Sequence, residues 1–283
     1  MNARAYFALV RPINCAMIGF AVVIGFFVSR PSVASLSWLQ VGLGFLTGFF
    51  VCAYSMVVND AYDVEVDKVN RPERPIPSGE VSLGSAYRFA MVLLLAGLAC
   101  SALSLNLGAL AIAAVYALLS WIYNAAAKRT GLPGNLIVAS SLAIPFIYGG
   151  VVSDGSFAGS LLLMMALTAF FSGVGREVVK AMADVEGDAK RGIRSVARSR
   201  GQRAAAAVGA SFFLLAVLAS WAPLFAGIAN GFYRFGVAVP DAVFVSLAAA
   251  ILAKPDAVRA HTVKGYALLG MTVGLVVFIG GAL

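Results

Sequence analysis

The chain has 283 residues, of which 61% are hydrophobic and 12% charged, and its mean hydropathy is +0.90. Soluble domains are about 25% charged, and a water-soluble fold of this length could not hide so much apolar surface, so the bilayer is the expected solvent. The net charge of +8 would favour nucleic acid in a soluble protein, but the basic residues fall in short loops between apolar segments, so no nucleic-acid partner is expected.

Roughly 20 apolar residues span a bilayer. In chain order the candidate spans are residues 10–28, 38–58, 87–105, 107–123, 136–152, 161–182, 204–225, 237–253 and 266–283. They predict an all-α, polytopic membrane protein, a bundle of about nine transmembrane helices forming a single domain over residues 1–283. The eighth segment is short, Pro240 and Asp241 interrupt its start, and residues 227–236 before it read as loop or interfacial helix. No short apolar stretch precedes a small-residue cleavage site, so the first segment is expected to stay as a permanent helix. Gly44 and Gly48 have the spacing of helix packing inside a bundle. Cys15, Cys52 and Cys100 form neither a metal pattern nor a disulfide framework. His261 is the only histidine, which excludes a multi-histidine metal site.

The connections alternate in character. Residues 60–88, 125–135, 183–203 and 254–265 are charged, whereas the intervening loops are mostly short and hold only Arg30 and Arg234 as basic residues. The positive-inside rule makes the charged side cytoplasmic. A multi-pass cell-membrane protein follows, with the N-terminus and the charged loops inside and, for an odd helix count, the C-terminus outside.

An acidic cluster follows the second segment: Asn59-Asp60-Ala61-Tyr62-Asp63-Val64-Glu65-Val66-Asp67. If the helix continues past the membrane, Asp60, Asp63 and Asp67 share one face. Three such carboxylates repel one another unless a cation neutralises them, and magnesium combines one or two carboxylates with phosphate oxygens and water. The competing reading is a solvated helix end, with Glu65 and Lys68 as ordinary surface charges. Pro72, Pro75 and Pro77 then stop any helix and make a stiff loop holding Arg71 and Arg74 near the carboxylates; arginine suits bidentate phosphate contact, and equally marks topology.

A second cluster follows the sixth segment: Arg176-Glu177-Val178-Val179-Lys180-Ala181-Met182-Ala183-Asp184-Val185-Glu186-Gly187-Asp188. Asp184 and Asp188 have i, i+4 spacing and are able to ligate one cation together, with Gly187 a candidate helix end. Arg176, Lys180 and Asp184 repeat every four residues, placing cations deeper and carboxylates at the mouth. That row suits a magnesium-bridged diphosphate; the competing reading is a salt-bridge ladder capping a helix. Between the clusters, Lys128 and Arg129 end a helix after Tyr123. They serve topology and the helix dipole, or Lys128 neutralises a leaving diphosphate while Tyr123 lines the pocket.

At these residues the chain resembles the UbiA superfamily of membrane prenyltransferases. Its NDxxDxxxD motif is matched by Asn59, Asp60, Asp63 and Asp67, its DxxxD motif by Asp184 and Asp188, and the Asn-Arg-Pro-x-Arg-Pro-Ile-Pro-Ser-Gly stretch from Asn70 to Gly79 is also similar. The resemblance covers nearly the whole chain. It implies Mg2+ at Asp60, Asp63, Asp67, Asp184 and Asp188, substrate binding by Asn59, Arg71, Arg74, Tyr123, Arg176 and Lys180, and a catalytic Lys128 that neutralises the leaving diphosphate. Aromatic faces at Tyr54, Tyr62, Tyr123 and Tyr148 are candidates for stabilising an allylic cation. The run from Arg176 to Asp188 is most similar to the archaeal ether-lipid branch, implying geranylgeranyl transfer from its diphosphate to geranylgeranylglyceryl phosphate. Where the family usually has a Thr-Leu-Pro-like stretch, this chain has Arg194-Ser195-Val196-Ala197-Arg198.

The partners implied are a prenyl diphosphate donor, a lipid-like or aromatic acceptor, and membrane lipids; oligomeric state stays open. Transfer to an aromatic ring, as in quinone or haem biosynthesis, shares the donor half. A transporter would be expected to carry its acidic residues near the bilayer midplane, and a purely structural membrane protein would not need repeated carboxylates opposite cations.

Overall fold

A computed structural model of the chain describes residues 3–29, 37–154 and 160–282. Arg30, and Leu283 at the end of the ninth segment, lie outside the described residues. Among the described residues there are helices and turns and no strand. The chain divides into two compact units, residues 1–126 with 148–156, and residues 127–147 with 157–283.

In the first unit, α1 (Ala3–Val10) and α2 (Pro12–Val28) meet at a 46° bend. Arg11 between them is left-handed, with φ 52° and ψ 65°. The sequence predicts one helix from Val10; the structure starts at Ala3 and breaks at Arg11. The ring of Pro12 bars the preceding residue from helical geometry and itself opens α2, where its missing N–H leaves nothing unpaired. α3 (Trp38–Tyr62), α5 (Leu83–Leu103) and α6 (Leu107–Ala125) follow, with the short α4 (Val64–Asn70) after α3. Ser37, Ser82 and Asn106 cap α3, α5 and α6 by accepting from the backbone N–H three residues on, the role their short polar side chains favour.

α3 is the centre of this unit and packs on α1, α2, α5 and α6. Gly44 and Gly48 allow the approach of α2: a Cβ at Gly48 would lie 3.0 Å from Val22 Cγ2 and 3.3 Å from Gly19 Cα. The small-residue spacing therefore packs this chain against itself. Val51, Val57, Val58 and Leu93 form the core, and Ile76 and Val81 join it from the proline-rich loop.

In the second unit, α8 (Ser160–Ala183) packs on α10 (Val196–Phe225) and α13 (Ala257–Ala282), and α12 (Ala238–Ala253) packs on α10 and α13. Short helices α9 (Val185–Lys190) and α11 (Gly231–Gly236) link them. Val174, Val178, Met182, Phe213, Ile251 and Val263 make its core. α7 (Leu132–Asp154), with Pro145 inside it, contributes residues to both units.

Among the described residues, 8 helices are long and apolar enough to cross a membrane, and the bent α1–α2 pair makes a ninth. About nine spans were expected, and the differences lie at the ends. The eighth span begins at Gly231. Pro240 does not interrupt it, because it sits in the first turn of α12, where backbone N–H groups lack helical partners anyway. Asp241 beside it accepts from Ser220 Oγ at 2.9 Å and from Trp221 Nε1 at 2.8 Å. α13 begins at Ala257 rather than residue 266, capped by Asp256, which accepts from the Arg259 N–H at 2.7 Å. α10 begins at Val196 and is interrupted by Gly201, with φ 85°.

Candidate active site

The first acidic cluster lies at a helix break. α3 carries Asn59 and Asp60 in its last turn, Asp63 interrupts the helix with φ −89° and ψ 3°, and α4 carries Asp67. The shared face of Asp60, Asp63 and Asp67 was conditional on a continuous helix; the structure has two helices instead. The i→i−4 bonds from Asp63 N–H to Asn59 O (3.0 Å) and from Asp67 N–H to Asp63 O (2.8 Å) persist through the break. Asp60 and Asp67 are buried and Asp63 is half-buried. Arg74 Nη1 draws the first two together, donating to Asp60 Oδ1 at 3.2 Å and Asp67 Oδ2 at 2.5 Å.

Arg74 reaches them because its loop is pinned. The Arg74 N–H bonds Arg71 O at 3.1 Å, the Val81 N–H bonds Pro75 O at 2.9 Å, and Ile76 and Val81 are buried. Arg71 caps α4 through its backbone, bonded to Asp67 O at 2.8 Å, and its side chain is exposed. Glu65 and Lys68 form an exposed ion pair at 2.7 Å, as the solvated reading had them.

Two neighbours lay beyond sequence reasoning. The Arg11 guanidinium pairs with Asp60 from the α1–α2 break, 49 residues away. Asn124 Oδ1 accepts from Asn59 Nδ2 at 2.8 Å, while Asn124 Nδ2 donates to Ser120 O at 2.9 Å. Ser120 in turn bonds Ser55 at 2.6 Å. Asn59 is thus fixed by a polar ladder between α3 and α6. Tyr123, at the end of α6, is half-buried. Tyr54 and Tyr148 are buried, the Tyr148 hydroxyl bonding Ser101 at 2.9 Å, and Tyr62 packs edge-on against Tyr87.

The second cluster repeats the pattern. α8 ends at Ala183, Asp184 breaks the helix with φ −124° and ψ 36°, and α9 carries Asp188. Gly187 does not end a helix as expected; it lies inside α9 and makes room. A Cβ there would lie 2.7 Å from Asp184 Cγ and 2.8 Å from its Oδ2. Arg191, absent from the sequence expectation, donates from Nη2 to both Asp184 and Asp188, the latter at 3.0 Å. Burial pushes the Asp188 carboxyl above the usual range, against the pull of Arg191. Burial also opposes the Arg191 charge, and bonding to Asp184 and Asp188 outweighs it and pushes the guanidinium further up.

Arg176 and Lys180 are tied by Glu177: its Oε1 accepts from Arg176 Nη1 and its Oε2 from Lys180 Nζ, each at 3.0 Å. The expected row of Arg176, Lys180 and Asp184 is therefore organised by an acid between the cations. Lys128 stands half-buried on a one-turn 3-10 helix, Ala127–Arg129. Arg194 N–H bonds Arg129 O at 3.0 Å, anchoring that turn to the loop after the second cluster. Gly131, with φ 76°, follows, and a Cβ there would run into the Arg194 carbonyl.

Among the described residues, no three or more Asp, Glu, His or Cys side chains form a complete metal cage. Each cluster instead brings two carboxylates to one cationic nitrogen. Hard carboxylate oxygens in pairs are what Mg2+ uses when phosphate oxygens complete its shell, and the glycine at 187 leaves Asp184 the space to serve. The donor set fits that ion.

The chain as a whole is similar to known proteins. A digeranylgeranylglyceryl phosphate synthase of Archaeoglobus fulgidus is 36% identical over 99% of this chain and 95% of its own length. Those of Methanocaldococcus jannaschii and Thermococcus kodakarensis are each 34% identical over 99% of this chain, and over 96% and 98% of their own lengths. A solved structure described for digeranylgeranylglyceryl phosphate synthase in membranes superposes with a TM-score of 0.89 at 32% identity, covering 99% of this chain and 98% of that one. A UbiA homologue from Archaeoglobus fulgidus bound to GPP and Mg2+ shares the fold, with a TM-score of 0.70 at 20% identity over 97% of this chain and 99% of that one. The family described as UbiA prenyltransferase matches residues 18–276, carrying both acidic clusters and the turn between them, and the chain belongs to that family.

Proposed function

We infer that this prenyltransferase moves a geranylgeranyl group from its diphosphate to the free glycerol hydroxyl of geranylgeranylglyceryl phosphate, forming the second ether bond of archaeal membrane lipids. The observation that carries the reading is the similarity to digeranylgeranylglyceryl phosphate synthases along 99% of the chain. The bond between the allylic carbon and the diphosphate oxygen breaks, the carbon–oxygen ether bond forms, and the hydroxyl proton and the diphosphate leave.

In this reading Asp60, Asp63 and Asp67, and Asp184 and Asp188, hold Mg2+. The ion supplies Lewis acidity and a template for the donor diphosphate. The residues of the chain do the rest. Arg71, Arg74, Lys128, Arg176 and Lys180 offer positive charge to diphosphate oxygens as the bond breaks. Asn59, fixed by Asn124, orients a donor oxygen. Tyr123 lines the pocket, and apolar helices keep water from the developing cation. In this reading the acceptor is a phosphate-bearing lipid taken from the membrane, as the similarity to digeranylgeranylglyceryl phosphate synthases supports.

The side distribution of Lys and Arg supports a cytoplasmic site and N-terminus and an external C-terminus, and the family match over residues 18–276 supports one catalytic domain over the whole chain. The test is an assay in detergent with radiolabelled geranylgeranyl diphosphate and Mg2+, offering geranylgeranylglyceryl phosphate and 4-hydroxybenzoate in parallel. Labelled ether lipid is expected; labelled aromatic product alone would move the chain to quinone synthesis with the donor half unchanged.

A further inference from the structure

Among the described residues, Arg191 donates to both carboxylates of the second cluster, and it does so in an uncommitted way. A guanidinium that locks a carboxylate uses two parallel N–H bonds. Here one nitrogen, Nη2, is shared between Asp184 and Asp188, and the Nε is buried with no hydrogen-bond partner. The charge therefore stands where a cation shared by two carboxylates belongs, while a buried N–H donor beside it has no partner here and gains one only if the guanidinium shifts toward an anion. The first cluster has the same plan, with Arg74 Nη1 shared between Asp60 and Asp67.

We propose that Arg191 is a positioning residue that competes with the divalent cation for Asp184 and Asp188, and yields them when a diphosphate gives its guanidinium a new partner. Metal loading at this cluster is then coupled to donor binding, because the diphosphate brings oxygen ligands for the ion and an anion for Arg191 at once. An unliganded enzyme holds its carboxylates paired rather than repelling. The C-cap position of Arg191 on α9 keeps the guanidinium close enough to return after product leaves. The proposal rests on the reading that Asp184 and Asp188 hold the cation.

The experiment is Mn2+ titration followed by electron paramagnetic resonance on the full chain in detergent, with and without inorganic pyrophosphate. An Asp60→Asn, Asp63→Asn, Asp67→Asn background silences the first cluster. Without pyrophosphate, Arg191→Met is expected to bind Mn2+ more tightly than the background protein, on the order of tenfold, as one charge-assisted competitor is removed. The tightening that pyrophosphate brings to the background protein should shrink in Arg191→Met. Arg191→Lys, which keeps a charge, should stay near the background affinity. If Arg191→Met does not fold, Arg191→Gln carries the same expectation. Unchanged or weaker Mn2+ binding in the folded neutral variant overturns the competition while leaving the metal site standing. No Mn2+ binding in any form, with pyrophosphate or without, overturns the metal reading and the proposal together.

Discussion

Replacing Gly187 by alanine separates the packing of the second cluster from its chemistry. In most helices this change stabilises, since alanine is favoured over glycine in a helix interior by about 1 kcal/mol. Here the added Cβ runs into the Asp184 carboxylate, with Cγ at 2.7 Å. That carboxylate is the free end of a side chain 54% exposed, so it swings away rather than forcing the backbone apart. Its contact with Arg191 is then lost, and a half-exposed pair of this kind contributes about 1 kcal/mol or less. The two effects offset, and the variant should unfold within a few degrees of the parent. Transfer should suffer far more if Asp184 is a ligand, because disturbing a neighbour that sets a metal ligand's orientation lowers metal affinity or activity about 10- to 100-fold. The measurement is the Mg2+ dependence of geranylgeranyl transfer, run beside thermal unfolding in the same detergent. A parent-like Mg2+ curve in Gly187→Ala would refute the placement of Asp184 as a ligand, and a large loss of stability would refute the account of how the clash resolves.

Other substitutions test the remaining parts. Asp60→Ala and Asp184→Ala should each abolish transfer, as should EDTA, but Asp60→Ala should lower stability by about 3 kcal/mol, since it strips a buried partner from Arg11 and Arg74, against about 1 kcal/mol or less for Asp184→Ala; equal thermal unfolding of the two variants would contradict that difference. Asn124→Ala leaves Asn59 Nδ2 without the acceptor it has at 2.8 Å, and should cost about 1–3 kcal/mol and raise KM for the donor, readable by initial rates and calorimetry. Gly131→Ala forces a side chain into φ 76° and against the Arg194 carbonyl. The conformation alone costs about 1–2 kcal/mol, and trypsin cleavage after Lys128 or Arg129 should accelerate if the turn loses its anchor.

The spans were legible because hydrocarbon imposes a length of apolar sequence on every crossing, and because the chain must satisfy its backbone in helices there. What hydropathy does not report is where a helix ends in water. Arg259, His261 and Lys264 lie within α13, yet they read as a charged loop, since a polar residue outside the bilayer is compatible with either state. Asp256 capping the helix was the signal that decided it. Similarly, Arg11 before Pro12 marked a break within the first span rather than its beginning, and the proline was the only clue in the sequence.

The acidic clusters were legible from spacing as clusters, and the structure pairs Asp60 with Asp67 through Arg74 and Asp184 with Asp188 through Arg191. The compensating charges were less so, for a physical reason. A buried acid must be neutralised by a cation that reaches it in space, and nothing requires that cation to be near in sequence. Asp60 takes Arg11 from 49 residues away, and Asn59 takes Asn124 from 65; no local pattern encodes either. Arg191 differs, standing at i+3 from Asp188 and i+7 from Asp184, the same helical register that ties the acids together. Gly187 was equally visible, but as a helix terminator, when its missing side chain serves instead as space for a carboxylate. In both clusters, then, the acids alone describe half of the arrangement: each pair of carboxylates at a helix break is drawn to one guanidinium, whose charge offsets the repulsion between them.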